Sequence, residues 1–179
     1  MLQRVTLILI LFSWQVPCKA QFFPPVKQKT AIAGVGIFHE LGFSNSYLIT
    51  LDFAREYKIR TWFAFGGEAN VFKFTSDNYS TAGLSIRPVT RLFFYSGKKL
   101  DIFGETKGGI IFMLPQYPDK LINFTFTATL GAGWYIKDRL AIRFSGGYTH
   151  FSNGKTYADL QNPTWDGLGT SIALVRTIP

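Results

Sequence analysis

At 179 residues, with one cysteine and a net charge of +8, the chain has room for a single domain and none for a disulfide framework. Charged residues make up only 17% and aromatic residues another 17%, a balance that argues against an ordinary soluble domain. The basic excess suits nucleic acid or the phosphates of an anionic lipid surface; with no nucleic-acid motif and no basic run longer than two residues, no nucleic acid is expected and a lipid surface is the better partner.

The first element in chain order stands apart from that domain. Arg4 supplies a short positive region, residues 5–14 are apolar except for Thr6 and Ser13, and Cys18-Lys19-Ala20 ends on a small residue. This is the pattern of a secretory signal peptide over residues 1–20, too short and wrongly flanked to span a membrane. Pro17 argues against lipidation of Cys18. Residues 21–179 then form the domain, without cysteine; taking Arg4 and Lys19 from the 19 basic residues leaves 17 against 11 acidic ones. No later apolar stretch approaches the ~20 residues of a membrane helix. An exported, aromatic-rich chain of this kind points to a transmembrane β-barrel.

The test of a barrel is period two, because successive side chains of a strand point to opposite faces. Residues 30–39 form a first strand with an ambiguous pattern. Residues 47–53 and 57–65 alternate, placing Asp52 and Arg60 inside, with residues 54–56 as the turn between them. Residues 82–94 present Leu84, Ile86, Pro88, Leu92 and Phe94 outward and Arg87 and Arg91 inward. Residues 102–114 present Ile102, Ile110, Phe112 and Leu114 outward and Glu105 and Lys107 inward. Residues 122–136 give the cleanest alternation, from Phe124, Phe126, Leu130 and Trp134 on one face to Asn123, Thr125, Thr127 and Thr129 on the other. Residues 140–149 set Leu140, Ile142 and Phe144 against Arg143, Ser145 and Thr149, and residues 168–178 set Leu168, Ile172 and Leu174 against Ser171 and Ala173. Arg176 interrupts the last outward set near a strand end, where it can snorkel.

That makes eight antiparallel strands, an outer-membrane type of barrel whose mixed lumenal charges fill the interior by pairing. A pore is disfavoured, because eight strands leave an interior filled by side chains. Short turns at 54–56, 96–99 and 137–138 share one end, and longer connections at 40–46, 68–80, 115–120 and 151–165 share the other. Short turns belong in the periplasm and long loops outside, so His150 is expected at the extracellular end of strand seven, level with the outer leaflet. The chain closes on Arg176-Thr177-Ile178-Pro179, without the terminal aromatic common in such barrels.

His150-Phe151-Ser152-Asn153-Gly154 is the most informative stretch. His150 and Ser152 share a face, about 6.6 Å apart at Cα on a continuing strand, within reach of the hydrogen bond that activates a serine. Parity from Leu140 puts both on the lipid-facing side, where a polar pair has no packing rationale. A plain interfacial role at headgroup level remains open beside a catalytic one, since His-x-Ser alone is a weak motif.

His-x-Ser-Asn at the end of the penultimate strand, followed by Asn162-Pro163 and an acidic residue, resembles the lipid A 3-O-deacylase (PagL) family, whose Bacteroidetes-type relatives are often labelled acyloxyacyl hydrolases. The specific motif lies between Tyr148 and Leu168. The resemblance implies an eight-stranded outer-membrane barrel whose Ser-His-acid triad hydrolyses an ester-linked acyl chain of lipid A, with no metal and no cofactor. It places the nucleophile on Ser152, the base on His150 and the orienting acid on Asp166, where the family has glutamate and where Thr164 stands in place of the usual glycine. Asp159 is a rival acid in the same loop, but Asp166 shares parity with Leu168 and starts strand eight where His150 ends strand seven. Asn153 and the backbone N–H of Gly154 are the nearest oxyanion donors, although Asn153 alternatively only shapes the turn. The expected substrate is lipid A, or a related lipopolysaccharide glycolipid. Its acyl chains would lie along Phe126, Leu130, Ile142 and Phe144, and its phosphates would meet Lys120 and Lys155. The competing class is a non-enzymatic small barrel of the OmpA or OmpX kind, serving adhesion or envelope integrity.

Overall fold

A computed structural model describes residues 28–42, 45–77, 80–114, 122–152 and 165–178. The expected signal segment, residues 1–20, lies outside the described residues. Eight strands follow one another: β1 (Gln28–Glu40), β2 (Tyr47–Arg60), β3 (Phe63–Thr75), β4 (Ser80–Ser96), β5 (Leu100–Leu114), β6 (Ile122–Lys137), β7 (Leu140–Ser152) and β8 (Trp165–Ile178). Each pairs antiparallel with its neighbours, and β8 returns to β1 in a continuous register from Lys29↔Ile178 to Glu40↔Gly167. Closure leaves no strand edge unpaired, which is what allows a sheet to sit in hydrocarbon, where backbone groups find no water.

The alternation read from sequence is the alternation of the wall. Val35, Leu51, Ile86, Phe94, Phe124, Leu130, Trp134, Phe144 and Leu174 are exposed on the outer surface, while Asp52, Arg87, Arg91, Glu105, Thr127 and Arg143 are buried inside. The lumen is layered. At one end Phe38, Leu48, Phe72, Phe74, Ile111, Met113, Phe151 and Trp165 form an apolar plug, and at the other Phe93 and Phe103 pack with Ala64.

Between the two, ion pairs join four cations to four carboxylates. Arg87 bridges Glu68 and, at 3.4 Å, Asp52; Lys107 bridges Glu68 at 2.6 Å and Glu105 at 3.1 Å. Arg91 binds both Glu56 and Glu105, and Arg143 lies 3.3 Å from Glu56. A buried charge is tolerable only when paired and hydrogen-bonded, and here each carboxylate meets a cation from another strand.

Two expectations are corrected. Residues 54–56 are not a turn: β2 runs through them to Arg60, and the turn falls at Thr61-Trp62. Residues 68–80 are not a long loop, because β3 continues to Thr75. Both errors arose from Glu56 and Glu68, which read as surface residues but are buried partners of lumenal arginines. Arg60, expected inside, ends β2 at an irregularity between Lys58 and Arg60, and among the described residues its side chain bonds only the adjacent Ile59 carbonyl, at 3.2 Å. Lys58 takes the inward place, donating to Ser96 Oγ at 2.6 Å with its ammonium 4.0 Å from the Phe93 ring. The corrected turn stays at the end of the other short links, so the polarity of the barrel is unchanged.

Candidate functional site

The site lies where β7 ends and β8 begins, at the end of the barrel carrying the longer connections. In β7, Thr149 and Phe151 are buried in the lumen, and Tyr148, His150 and Ser152 lie on the outward face with Ile142 and Phe144. In β8, Trp165 is inward and Asp166 outward. The register sets His150 opposite Asp166 on one side and opposite Phe126 on the other; Ser152 faces Phe124.

His150 Nδ1 and Asp166 Oδ1 are 2.8 Å apart, both half-buried. A carboxylate at Nδ1 fixes the imidazole's plane and tautomer and leaves Nε2 for a hydroxyl. Among the described residues no hydrogen bond joins Ser152 to His150; the two are related by their shared face and two-residue spacing. Asn153, Gly154 and the rival acid Asp159 lie outside the described residues, as do Lys120 and Lys155. His39 is exposed at the end of β1, its ring edge-on to Tyr47 at 4.7 Å, and among the described residues it has no carboxylate bonded to its ring as His150 has.

Sequence reasoning missed Tyr148. Its hydroxyl donates to Asp166 Oδ1, the oxygen that also meets His150, and its ring stacks on the imidazole with centroids 6.5 Å apart and planes at 16°. The signal was available, since Tyr148 shares the parity of His150 one step along the strand. Its hydroxyl gave no local hint of a partner on the next strand.

The inward residues between the polar ones hold the ends of both strands. Phe151 and Trp165 are opposite in register and stack at 5.3 Å and 17°, and Phe74 meets both edge-on. Trp165 Nε1 donates to Ser46 Oγ at 2.8 Å, and Ser46 in turn donates to Glu40. The Asp166 carbonyl accepts from Leu41 N–H at 2.8 Å. Two inward rows below, Gly147 and Gly169 face each other. A Cβ on Gly147 would fall 2.2 Å from the Ala128 carbonyl oxygen, and one on Gly169 would fall 2.1 Å from that of Ile37, so the backbones approach in a way only glycine allows. The outward polar groups are thus mounted on a packed inner wall. Among the described residues no group of acidic, histidine or cysteine side chains could hold a metal ion.

A family model described as lipid A 3-O-deacylase (PagL) matches residues 43–174, most of the chain. No curated protein matches. Among solved structures, the outer-membrane enzyme PagL superposes with a TM-score of 0.53 at 15% identity, covering 83% of this chain and 100% of that one. Neisserial surface protein A gives 0.54 at 11% identity, covering 82% and 95%. The N-terminal β-barrel domain of Pseudomonas aeruginosa OprF gives 0.52 at 8%, covering 84% and 99%. At these identities the three superpositions speak for the fold.

Proposed function

Because this chain belongs to the lipid A 3-O-deacylase (PagL) family of outer-membrane barrels, we propose that it is a serine esterase whose Ser152, His150 and Asp166 hydrolyse an ester-linked acyl chain of lipid A, the 3-O-linked 3-hydroxyacyl chain by preference. The observation that carries the proposal is the 2.8 Å contact between His150 Nδ1 and Asp166 Oδ1 on the lipid-facing wall, beside a serine on the same face. Residues 1–20 are proposed to export the chain. The end with the longer connections is proposed to face outward, which sets the site in the outer leaflet beside its substrate.

The chemistry runs in two steps. Ser152 Oγ attacks the acyl carbonyl as His150 Nε2 takes its proton; the tetrahedral intermediate then expels the sugar oxygen, which leaves with that proton. Water next attacks the acyl-serine, giving a proton to His150, and collapse returns it to Ser152 and frees the fatty acid. Asp166 holds the tautomer and stabilises the imidazolium. Asn153 and the Gly154 N–H are proposed to donate to the oxyanion. The exposed Phe124 and Phe126 beside the polar pair keep the acyl chain in an apolar surround while the ester is cut.

Two expected outcomes test the acid. Asp166→Asn lowers deacylation on the order of 10³–10⁴-fold, the loss expected when the imidazole is held in the wrong tautomer. Asp159→Asn leaves it unchanged. Release of 3-hydroxy fatty acid from lipid A, followed by mass spectrometry, reads both; the reverse ranking would transfer the role to Asp159. Tyr148 is a positioning residue. Tyr148→Phe keeps the stacked ring and loses one hydrogen bond to a half-exposed carboxylate, so kcat is expected to fall roughly tenfold with KM unchanged. A rise in KM instead would make Tyr148 a substrate contact.

A further inference from the structure

Arg176, the residue that interrupts the outward apolar face of β8, does not stand alone. It lies opposite Ala31 of β1, and Ala31 lies opposite Arg55 of β2. Lys29, the next outward residue of β1 toward its start, lies opposite Tyr57. All three cations are exposed, and among the described residues none of their side chains has a hydrogen bond or an ion pair. With strands about 4.8 Å apart, Arg176 and Arg55 flank Ala31 at a Cα separation of roughly 10 Å, within reach of one shared anion. Outward positions within the same ends of β3 to β6 carry Phe65, Phe94, Ile102, Trp134 and Ile136, and the exposed Lys98, Lys99 and Lys137 of that side sit in the turns or at the last strand residue, so Arg55, Arg176 and Lys29 are the outward cations set into the wall itself at this end.

Next to these cations, toward the middle of the wall, runs an open groove of about 390 Å³ lined by Ala33, Val35, Leu51, Ile142, Ile172 and Leu174. Ala33 is the short outward residue at its floor, one outward step from Ala31, with Phe53 and Leu174 opposite it on the two neighbouring strands. A polar head site one outward step along the strand from an apolar trough suits an amphiphile.

We propose that this face binds one anionic glycerophospholipid of the leaflet at the short-turn end, with its phosphate between Arg55, Arg176 and Lys29 and an acyl chain along Ala33. Arginines at the edge of hydrocarbon reach the headgroup level, and a phosphodiester there meets them with charge-assisted, bidentate hydrogen bonds. The choice of leaflet rests on the orientation proposed above.

The experiment is native mass spectrometry of the refolded full-length barrel, released from detergent micelles containing equal phosphatidylglycerol and phosphatidylcholine. The wild type is expected to retain phosphatidylglycerol selectively. Arg55→Gln with Arg176→Gln should reduce that preference about thirtyfold, from the weight of each cation near an anionic surface. Arg55→Lys with Arg176→Lys should keep most of it. Ala33→Phe, which fills the groove with the charges intact, should also lose bound lipid. Millimolar inorganic phosphate should not displace it, since the tail contributes. Equal retention of both lipids by the wild type, full retention by the glutamine pair or by Ala33→Phe, displacement by phosphate, or tighter retention of added lipid A would each overturn the site. Deacylation measured on the same samples should be unaffected by these substitutions, which separates failure of this site from failure of the esterase.

Discussion

Ser152→Ala is expected to reduce fatty-acid release from lipid A by at least about 10⁴-fold, because loss of the nucleophile removes the covalent route altogether. His150→Ala should cost about as much, and the double variant no more than either alone, since the members of a relay act as one unit. Neither change touches the packed interior. Ser152 has no hydrogen bond among the described residues and is half-buried on the outer wall, so its loss should shift unfolding by less than ~0.5 kcal/mol. Folding is checked by the difference in gel mobility between heated and unheated samples, and the nucleophile by a serine-reactive fluorophosphonate, whose adduct should map to Ser152 and vanish in the alanine variant. Release at the wild-type rate from Ser152→Ala would end the serine-esterase proposal and leave a barrel with another chemistry.

The largest effect on stability is expected from Arg91→Leu. Arg91 is buried in the lumen and binds both Glu56 and Glu105, so its removal takes one cation partner from each of two buried carboxylates. Removing one partner of a buried pair costs about 3–5 kcal/mol. The lower end applies here, because Arg143 remains 3.3 Å from Glu56 and Lys107 remains 3.1 Å from Glu105. Urea unfolding in lipid vesicles reads the loss as a lower midpoint. Adding Glu105→Gln to Arg91→Leu should recover part of it, because one of those two buried charges disappears. If Arg91→Leu unfolds at the wild-type midpoint, the lumenal pairs are not what holds the middle of the barrel together.

The sequence made the eight strands and their facing legible wherever polar and apolar residues alternate cleanly, as from Asn123 to Trp134 in β6. It failed at two of the inward acids, Glu56 and Glu68, although Asp52 and Glu105 were read as inward. Glu56 and Glu68 look like turn and loop residues from their own neighbourhoods; what makes them interior is Arg91 and Arg87, which other strands supply. Trp62 misled in the opposite sense, an aromatic in the turn itself, half-exposed at the short-turn end. The outward facing of His150, Ser152 and Asp166 followed from counting, since parity persists along a strand. Tyr148 was not legible, because its hydroxyl acquires meaning only when the register brings Asp166 across from the next strand.

That register has a temporal consequence. Histidine and acid belong to the last two strands in chain order and meet only once β7 and β8 have zipped together, with Trp165 anchored to the segment that follows β1. A chain still crossing the periplasm, its final hairpin unformed, carries the three proposed groups without the register that brings His150 and Asp166 together. For the esterase proposed above, the histidine–acid pair therefore forms with the last hairpin, at the destination rather than on the journey.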